Sequence, residues 1–274
     1  EEQLQHYMRL TWALVGQKPE LIIWPETAIA FRILSSKYAD LFREFKVSVD
    51  SLGLAILTGF ADIVFYQEGA APLGSHVIRG TDVHYDDFNA IMLLDSRSDR
   101  IQKYAKMKLV PFGERVPYAD KLSFLADAIK WNVGISGWGI GRDTTVFVFS
   151  RHGSSARFSA MVCYESIYPD LVAGFVRKGA EFLVVITNDS WYGKTSGPYQ
   201  HAQYAVLRAI ENRRSIARCA NGGVSCLIDP YGRVSEVRDM FTEGSVIGDV
   251  ALSEEETIYS RHGDVFAQAC TGFG

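Results

Sequence analysis

Cys163 closes an apolar, strand-like run, Phe158-Ser-Ala-Met-Val-Cys163, and is followed at once by Tyr164-Glu165-Ser166. A thiol placed where a strand breaks into a turn is open to a ligand while its backbone is held. A free cysteine by itself behaves as a small buried hydrophobe, so its companions decide its meaning. Leu21-Ile-Ile-Trp-Pro-Glu26 delivers a carboxylate just past a short apolar strand and a proline. Tyr104-Ala-Lys106-Met-Lys-Leu-Val-Pro-Phe-Gly-Glu114 supplies an ammonium and a second carboxylate on a segment broken by proline and glycine. A thiol with a pKa of about 8.5 is only a few per cent ionised at neutral pH, so a nucleophilic cysteine needs a base or a nearby cation. Glu26 could be that base, because an apolar approach suits a partly buried carboxyl whose pKa rises toward the working pH. Lys106 could be the cation, with Lys108 its rival two residues on.

Such a set works only if strands and turns bring it together. Apolar runs predict strands at 21–24, 54–60, 89–94, 146–149, 157–163, 182–187, 215–220, 224–228 and 245–250. Helices are expected over 1–15, 38–52, 169–178 and 199–213. In the last of these Ala202, Ala205, Val206, Ala209 and Ile210 form one apolar stripe that must be buried. Asp229-Pro-Tyr-Gly232 reads as a hairpin turn between late strands. Mixed strands and helices of this kind make an α/β fold, sheets covered by helices.

A chain of 274 residues with 47% hydrophobic content can build one large core. No linker, low-complexity run or repeat divides it, so residues 1–274 are expected to form a single catalytic domain. The net charge of −4 argues against nucleic acid, which needs clustered basic surface, and the basic residues of 208–218 are interleaved with apolar ones. Four cysteines are too few and too scattered for a disulfide scaffold, although Cys219 and Cys226 flank Ala220-Asn-Gly-Gly223 and could face each other on adjacent strands. The six histidines show no metal-ligand spacing, which argues against a metal. The glycines at 137, 139 and 141 have no strand placed before them as a phosphate-binding loop requires.

The order Glu26, Lys106, Cys163 resembles the catalytic triad of the nitrilase (carbon-nitrogen hydrolase) superfamily. The flanking words resemble one branch of it, the apolipoprotein N-acyltransferases. They are Trp24-Pro-Glu-Thr-Ala28, Leu109-Val-Pro-Phe-Gly-Glu114 with Val116-Pro117, Cys163-Tyr-Glu165, Asn188-Asp-Ser-Trp-Tyr-Gly193, Gly197-Pro-Tyr-Gln-His201, Arg208-Ala-Ile-Glu-Asn-Arg213 and Tyr259-Ser-Arg-His-Gly-Asp264. They run in family order from near residue 21 to near residue 266. The beginning departs from the pattern. The family's domain opens on a strand carrying a Gln/Asn motif and is flanked by membrane helices. This chain begins inside an apparent helix, and no stretch approaches the roughly 18 to 20 apolar residues of a membrane span. It reads as an excised or partial catalytic domain.

The resemblance implies a four-layer α-β-β-α sandwich. It also implies acyl transfer through a thioester on Cys163, with Glu26 as general base and acid and Lys106 stabilising the oxyanion; the spacing to Phe112-Gly-Glu114 favours Lys106 over Lys108. Glu114 and Glu165 match acidic positions that support the triad, and the backbone N–H of Tyr164 is a second oxyanion donor. Asn89 and Tyr164 are expected to line the pocket, and Trp191 and Tyr192 to wall its acyl part. His201 and Asn188 read as structural. The implied partners are a phospholipid acyl donor, a diacylated lipoprotein acceptor and a membrane surface. No cofactor is implied. The implied location is the bacterial inner membrane, with this domain on the periplasmic side. Residues 118–142, with Trp131, Trp138 and several glycines, suit a lid facing the bilayer. Two other readings stand beside this one: a soluble amidase or nitrilase with water as acceptor, and a non-catalytic relative that binds a lipid or a partner.

Overall fold

Successive side chains leave opposite faces of a strand, and that alternation sorts the apolar residues of this chain between two covering layers. The computed structural model describes residues 1–67, 69–72, 75–115, 137–151 and 153–272. Among these, β1 (Leu21–Ile23), β2 (Ala55–Tyr66), β3 (His76–Val77), β4 (His84–Asp95) and β5 (Ser98–Ala105) form one sheet. Its order is β1-β2-β4-β3, with β5 also paired to β4. A second sheet, β11-β10-β9-β8-β7-β6, is built from β6 (Phe147–Arg151), β7 (Ser154–Val162), β8 (Phe182–Asn188), β9 (Ile216–Asn221), β10 (Ser225–Ile228) and β11 (Val234–Arg238).

From β2 and β4, Ile56, Phe60, Met92 and Leu94 join a core with Leu4 of α1 (Glu2–Leu14) and with Phe45 and Val49 of α2 (Ala39–Leu52). Their neighbours Ala55, Leu57, Ile91 and Leu93 turn the other way and pack with Phe147, Phe158, Val162 and Val184 of the second sheet. That core continues to Val172 and Phe175 of α3 (Pro169–Arg177) and Ala205 and Ala209 of α4 (Gly197–Asn212). Helices, sheet, sheet and helices are therefore stacked, the four-layer α/β sandwich expected above. Two short helices, α5 (Ile258–His262) and α6 (Val265–Gly272), follow. No helix among the described residues is long and apolar enough to cross a membrane.

Parallel pairing dictates which way the site faces. β1 runs parallel to β2, and β7, β8 and β9 run parallel to one another, joined through α3 and α4. In open α/β sheets, binding groups collect beyond the carboxyl ends of such strands. Glu26 follows β1, Cys163 follows β7 and Asp189 follows β8.

Several expectations need correction. Segment 245–250 is not a strand: it has no ladder partner, and Gly248 lies against the side chains of Leu227 and Glu236 instead. The strands expected at 54–60 and 89–94 extend into a long hairpin, because Ile63↔Asp87 through Tyr66↔His84 keep pairing after apolar alternation ends. β5 and β11 were too polar to read as strands, and pairing with β4 and β10 makes them so. On α4, Ala202, Ala205 and Ala209 are buried, but Ile210 is 41% exposed, while Arg208 and Asn212 are buried. Cys219 and Cys226 do not face each other. Cys226 pairs with Arg218, so Cys219, one residue on, leaves the opposite face, and both thiols are free. The Asp229–Gly232 turn does join β10 to β11, with Gly232 N–H donating to Asp229 O at 3.0 Å and Gly232 at φ 83°.

Candidate active site

The Glu26 arm is seated by a glycine. Gly59 N–H donates to Pro25 O at 3.3 Å, and a Cβ on Gly59 would lie 2.6 Å from Thr27 N and 2.8 Å from Glu26 Cα. Only a residue without a side chain lets β2 carry this loop so closely. Trp24, buried, anchors the approach by donating from Nε1 to Thr11 Oγ1 at 3.0 Å and stacking on Tyr7 and Phe45. The Glu26 carboxylate is thereby buried and fully bonded. Its Oε1 accepts from Asn89 Nδ2 at 2.7 Å and Lys106 Nζ at 3.3 Å, and its Oε2 accepts from Asn188 N–H at 2.8 Å.

Lys106, 1% exposed, follows β5 and is pinned by its N–H to Asn89 O at 2.9 Å. Its Nζ donates to Glu114 Oε1 at 2.8 Å as well as to Glu26. Glu114 is fixed by Asn89 Nδ2 at 3.2 Å and by Val110 N–H at 2.8 Å. Burial would lower the Lys106 ammonium, but the Glu26 and Glu114 carboxylates hold it above its ordinary value. Lys108 has a different place, with its Nζ over the Tyr168 ring at 5.3 Å.

Cys163 has φ 51°, a left-handed conformation that costs a non-glycine residue about 1 to 2 kcal/mol. Strain of this kind persists only where the surroundings over-determine it. Here Glu165, fully buried, accepts from Val162 N–H at 2.8 Å on one side of the turn. Its other oxygen accepts from Tyr104 Oη at 2.6 Å, Met107 N–H at 2.7 Å and Lys108 N–H at 3.1 Å. One carboxylate thus ties the cysteine turn of the second sheet to the lysine loop of the first. Burial pushes the Glu165 carboxyl above its ordinary value despite those donors. Burial, then the Glu26 carboxylate, pushes the Cys163 thiol up to about 12, against the pull of Lys106 and of a hydrogen bond with Thr187. The surroundings therefore favour the thiol over the thiolate.

Glu26, Lys106 and Cys163 are brought together, with Glu114 and Asn89 bridging the first two and Glu165 bracing the third. Asn89 sits between the two carboxylates rather than on an open pocket wall, and its Oδ1 is buried with no partner. Tyr192 stands beside His201, ring to ring at 6.2 Å, while Trp191 is 87% exposed on the same turn. Tyr164 packs edge-on against Tyr168. Trp138 is half-buried, and its carbonyl accepts from Arg115 at 3.0 Å. Most of the expected lid, including Trp131, lies outside the described residues. Its described end is tied down by Gly139 N–H to Asp87 O at 2.6 Å and Gly141 N–H to Lys106 O at 2.8 Å.

Sequence reasoning passed over a second buried cluster. Asp189 accepts from Thr187 Oγ1 at 2.8 Å, His201 Nδ1 at 2.7 Å and Arg218 at 2.8 Å. Burial raises Asp189, but His201 and Arg218 outweigh it and leave the carboxyl below its ordinary range. The available signals were an arginine inside the apolar run 215–220 and the Asp and His within two of the quoted words. The Cys163, Asp189 and His201 ligand atoms lie within 4.8 Å of one another, a grouping that could in principle hold a metal. Their lone pairs and protons are already committed, however: Asp189 to His201, Thr187 and Arg218, and His201 also to the Cys163 carbonyl. A cleft of about 800 Å³ between α1 and residues 241–252 is lined by none of Glu26, Lys106 and Cys163.

A half-buried thiol, a buried carboxylate and a buried ammonium thus lie just beyond the carboxyl ends of strands from two stacked sheets, a set whose chemistry suits a cysteine nucleophile. Residues 1–259 match the carbon-nitrogen hydrolase family, and the chain belongs to it. It is 41% identical over 274 residues to an apolipoprotein N-acyltransferase of Chlorobaculum tepidum, covering 99% of this chain and 51% of the relative. It is 33% identical over 276 residues to one of Geobacter metallireducens, covering 98% of this chain and 47% of the relative. The chain thus spans about half the length of the curated relatives it matches. An amidase from Nesterenkonia sp. shares the fold, with a TM-score of 0.62 at 17% identity, covering 98% of this chain and 90% of that one.

Proposed function

We propose that this chain is the catalytic domain of a phospholipid:apolipoprotein N-acyltransferase, working through a Cys163 thioester at the periplasmic face of a bacterial inner membrane. The site observation that carries this reading is the half-buried Cys163 thiol, its pKa raised, beside Glu26, which Lys106, Asn89 and Asn188 hold in place. The likeness to the Chlorobaculum relative along nearly the whole chain supports the choice of acceptor.

Glu26 takes the thiol proton as Cys163 Sγ bonds to the acyl carbon of a phospholipid ester. Lys106 Nζ and the Tyr164 N–H stabilise the oxyanion, the ester C–O bond breaks, and the proton passes from Glu26 to the departing lysophospholipid alcohol. The α-amino group of a diacylglyceryl-cysteine then attacks the thioester carbon, Glu26 removes its proton, and the Cys163 thiolate leaves and recovers that proton. General acid-base help of this kind contributes about 10²- to 10⁴-fold. Trp191 stands almost wholly in water, and contact with lipid would remove that exposure.

Intact-mass spectrometry after incubation with phosphatidylethanolamine in detergent tests the reading. The expected result is a hydroxylamine-sensitive gain of one acyl chain, absent from Cys163→Ala. No gain, together with hydrolysis of small amides, would transfer the site to the amidases of the family.

A further inference from the structure

The cluster beneath the nucleophile grips one particular peptide group. The carbonyl of Cys163 accepts from Ser166 Oγ at 3.0 Å and lies 3.1 Å from His201 Nε2. The other ring nitrogen, Nδ1, lies 2.7 Å from Asp189 Oδ1. Nε2 also lies 3.2 Å from Ser166 Oγ, so the ring braces both the carbonyl and the hydroxyl that donates to it. Asp189 is itself held by Thr187 and by Arg218 on β9, so the imidazole cannot turn. His201 and Asp189 are both buried.

A peptide bond is planar and trans, so its carbonyl and its N–H point in opposite directions. Fixing the Cys163 carbonyl therefore aims the N–H of Tyr164 the other way. The Ser166 hydroxyl, held against His201 and donating to the same carbonyl, polarises the peptide and strengthens that N–H as a donor, as bonds in a chain reinforce one another. We propose that His201, anchored by Asp189, is a positioning residue that fixes and polarises the Cys163–Tyr164 peptide so that the Tyr164 N–H meets the developing oxyanion. Ser166 shares the task through its bond to the same carbonyl. The clamp acts on the peptide that follows the left-handed cysteine, and so on the donor rather than on the thiol.

This inference rests on Cys163 acting as an acyl-accepting nucleophile, and it does not depend on which acyl donor or acceptor is natural. Two reactions of Cys163 separate the roles. Acylation by p-nitrophenyl butyrate forms the S–C bond, breaks the ester C–O bond to release p-nitrophenolate, sends the thiol proton to Glu26 and then to solvent, and passes through an oxyanion. Alkylation by iodoacetamide forms an S–C bond and releases iodide without an oxyanion.

His201→Leu is expected to slow acylation by about 10²-fold, the scale of a misaimed group. Alkylation should stay within about threefold, because it reads the thiolate alone. His201→Gln, whose amide N–H can reach the carbonyl, should recover about tenfold or more of the loss, on the scale of a restored donor. Ser166→Ala should show the same split in smaller measure, and it keeps the test open if the leucine variant does not fold. Equal slowing of both reactions, no slowing of either, or a glutamine variant as poor as leucine would overturn the proposal. A parent protein acylated by the ester but not by phospholipid would sink the phospholipid reading and leave this one standing. A parent protein whose Cys163 accepts no acyl group would overturn both.

Discussion

At Cys163 the surroundings work against the thiolate. Burial and Glu26 push the thiol up to about 12, so Lys106 does not make a standing thiolate. The thiolate is the alkylated species. The rate of Cys163 alkylation should therefore climb with pH through neutral and mildly alkaline buffers, with no plateau before about pH 10, where a thiol of ordinary pKa would already have levelled off. A plateau near pH 8, read by mass spectrometry of iodoacetamide adducts, would contradict the raised thiol pKa. The two lysines differ for a related reason. Lys106 lies between the buried Glu26 carboxylate and the half-buried Glu114 one, and its removal leaves them without the cation. Lys106→Ala is expected to cost about 3 to 5 kcal/mol of stability and about 10²- to 10³-fold in acylation. Lys108→Ala, which loses only the contact over Tyr168, should leave the acylation rate within about threefold and the melting temperature nearly unchanged. Single-turnover acylation and thermal unfolding of the two variants check this, and a Lys108 variant as damaged as the Lys106 one would reverse the assignment.

At the scale of elements, close backbone contacts bring the catalytic arms into register. A Cβ on Gly141 would lie 1.9 Å from Ala105 O, at the junction that leads into Lys106. The obstacle is backbone and cannot swing aside, as a side chain would. Gly141→Ala should therefore destabilise the protein by at least about 2 kcal/mol and slow acylation as Lys106 shifts. A melting temperature equal to the parent's would show that this loop does not set the lysine's position. The glycines at 137, 139 and 141 were set aside as a phosphate loop on spacing, and Gly139 and Gly141 prove to be packing positions against Phe88 and Ala105. The long β2–β4 hairpin was underestimated because polar residues such as Asp86 and Asp87 interrupt the apolar run, while main-chain pairing carries on regardless of side-chain polarity.

At the scale of the whole molecule, the site is a seam between two sheets. Glu26 from the first sheet bonds the backbone of Asn188 on the second, and Glu165 from the second bonds Met107 and Lys108 on the first. Separation of the sheets would therefore dismantle the site as it opened the core. Trp191 contributes almost nothing to that core, so Trp191→Ala should change stability by less than about 0.5 kcal/mol. If this face meets lipid, the same variant should bind phospholipid vesicles measurably less in co-sedimentation. Unchanged binding would remove Trp191 from the lipid-facing surface.

Read alone, the sequence marked Glu26, Lys106 and Cys163 as candidates, because each sits where an apolar run ends in proline, glycine or a turn and each has chemistry the others could use. Period-two and helical spacing also located the main strands and helices, since burial writes those periods into the residues themselves. What it did not contain was the second cluster of Thr187, Asp189, His201 and Arg218. These residues stand on different elements, and their meaning comes from parallel pairing of β7, β8 and β9, which sets strand ends side by side. The roles of Asn89 and Glu165 were misjudged or left general for the same reason. A carboxylate or amide shows its type in one dimension, whereas its partners are chosen by folding, and Glu165 collects donors from Tyr104, Met107, Lys108 and Val162 only once the two sheets have been stacked.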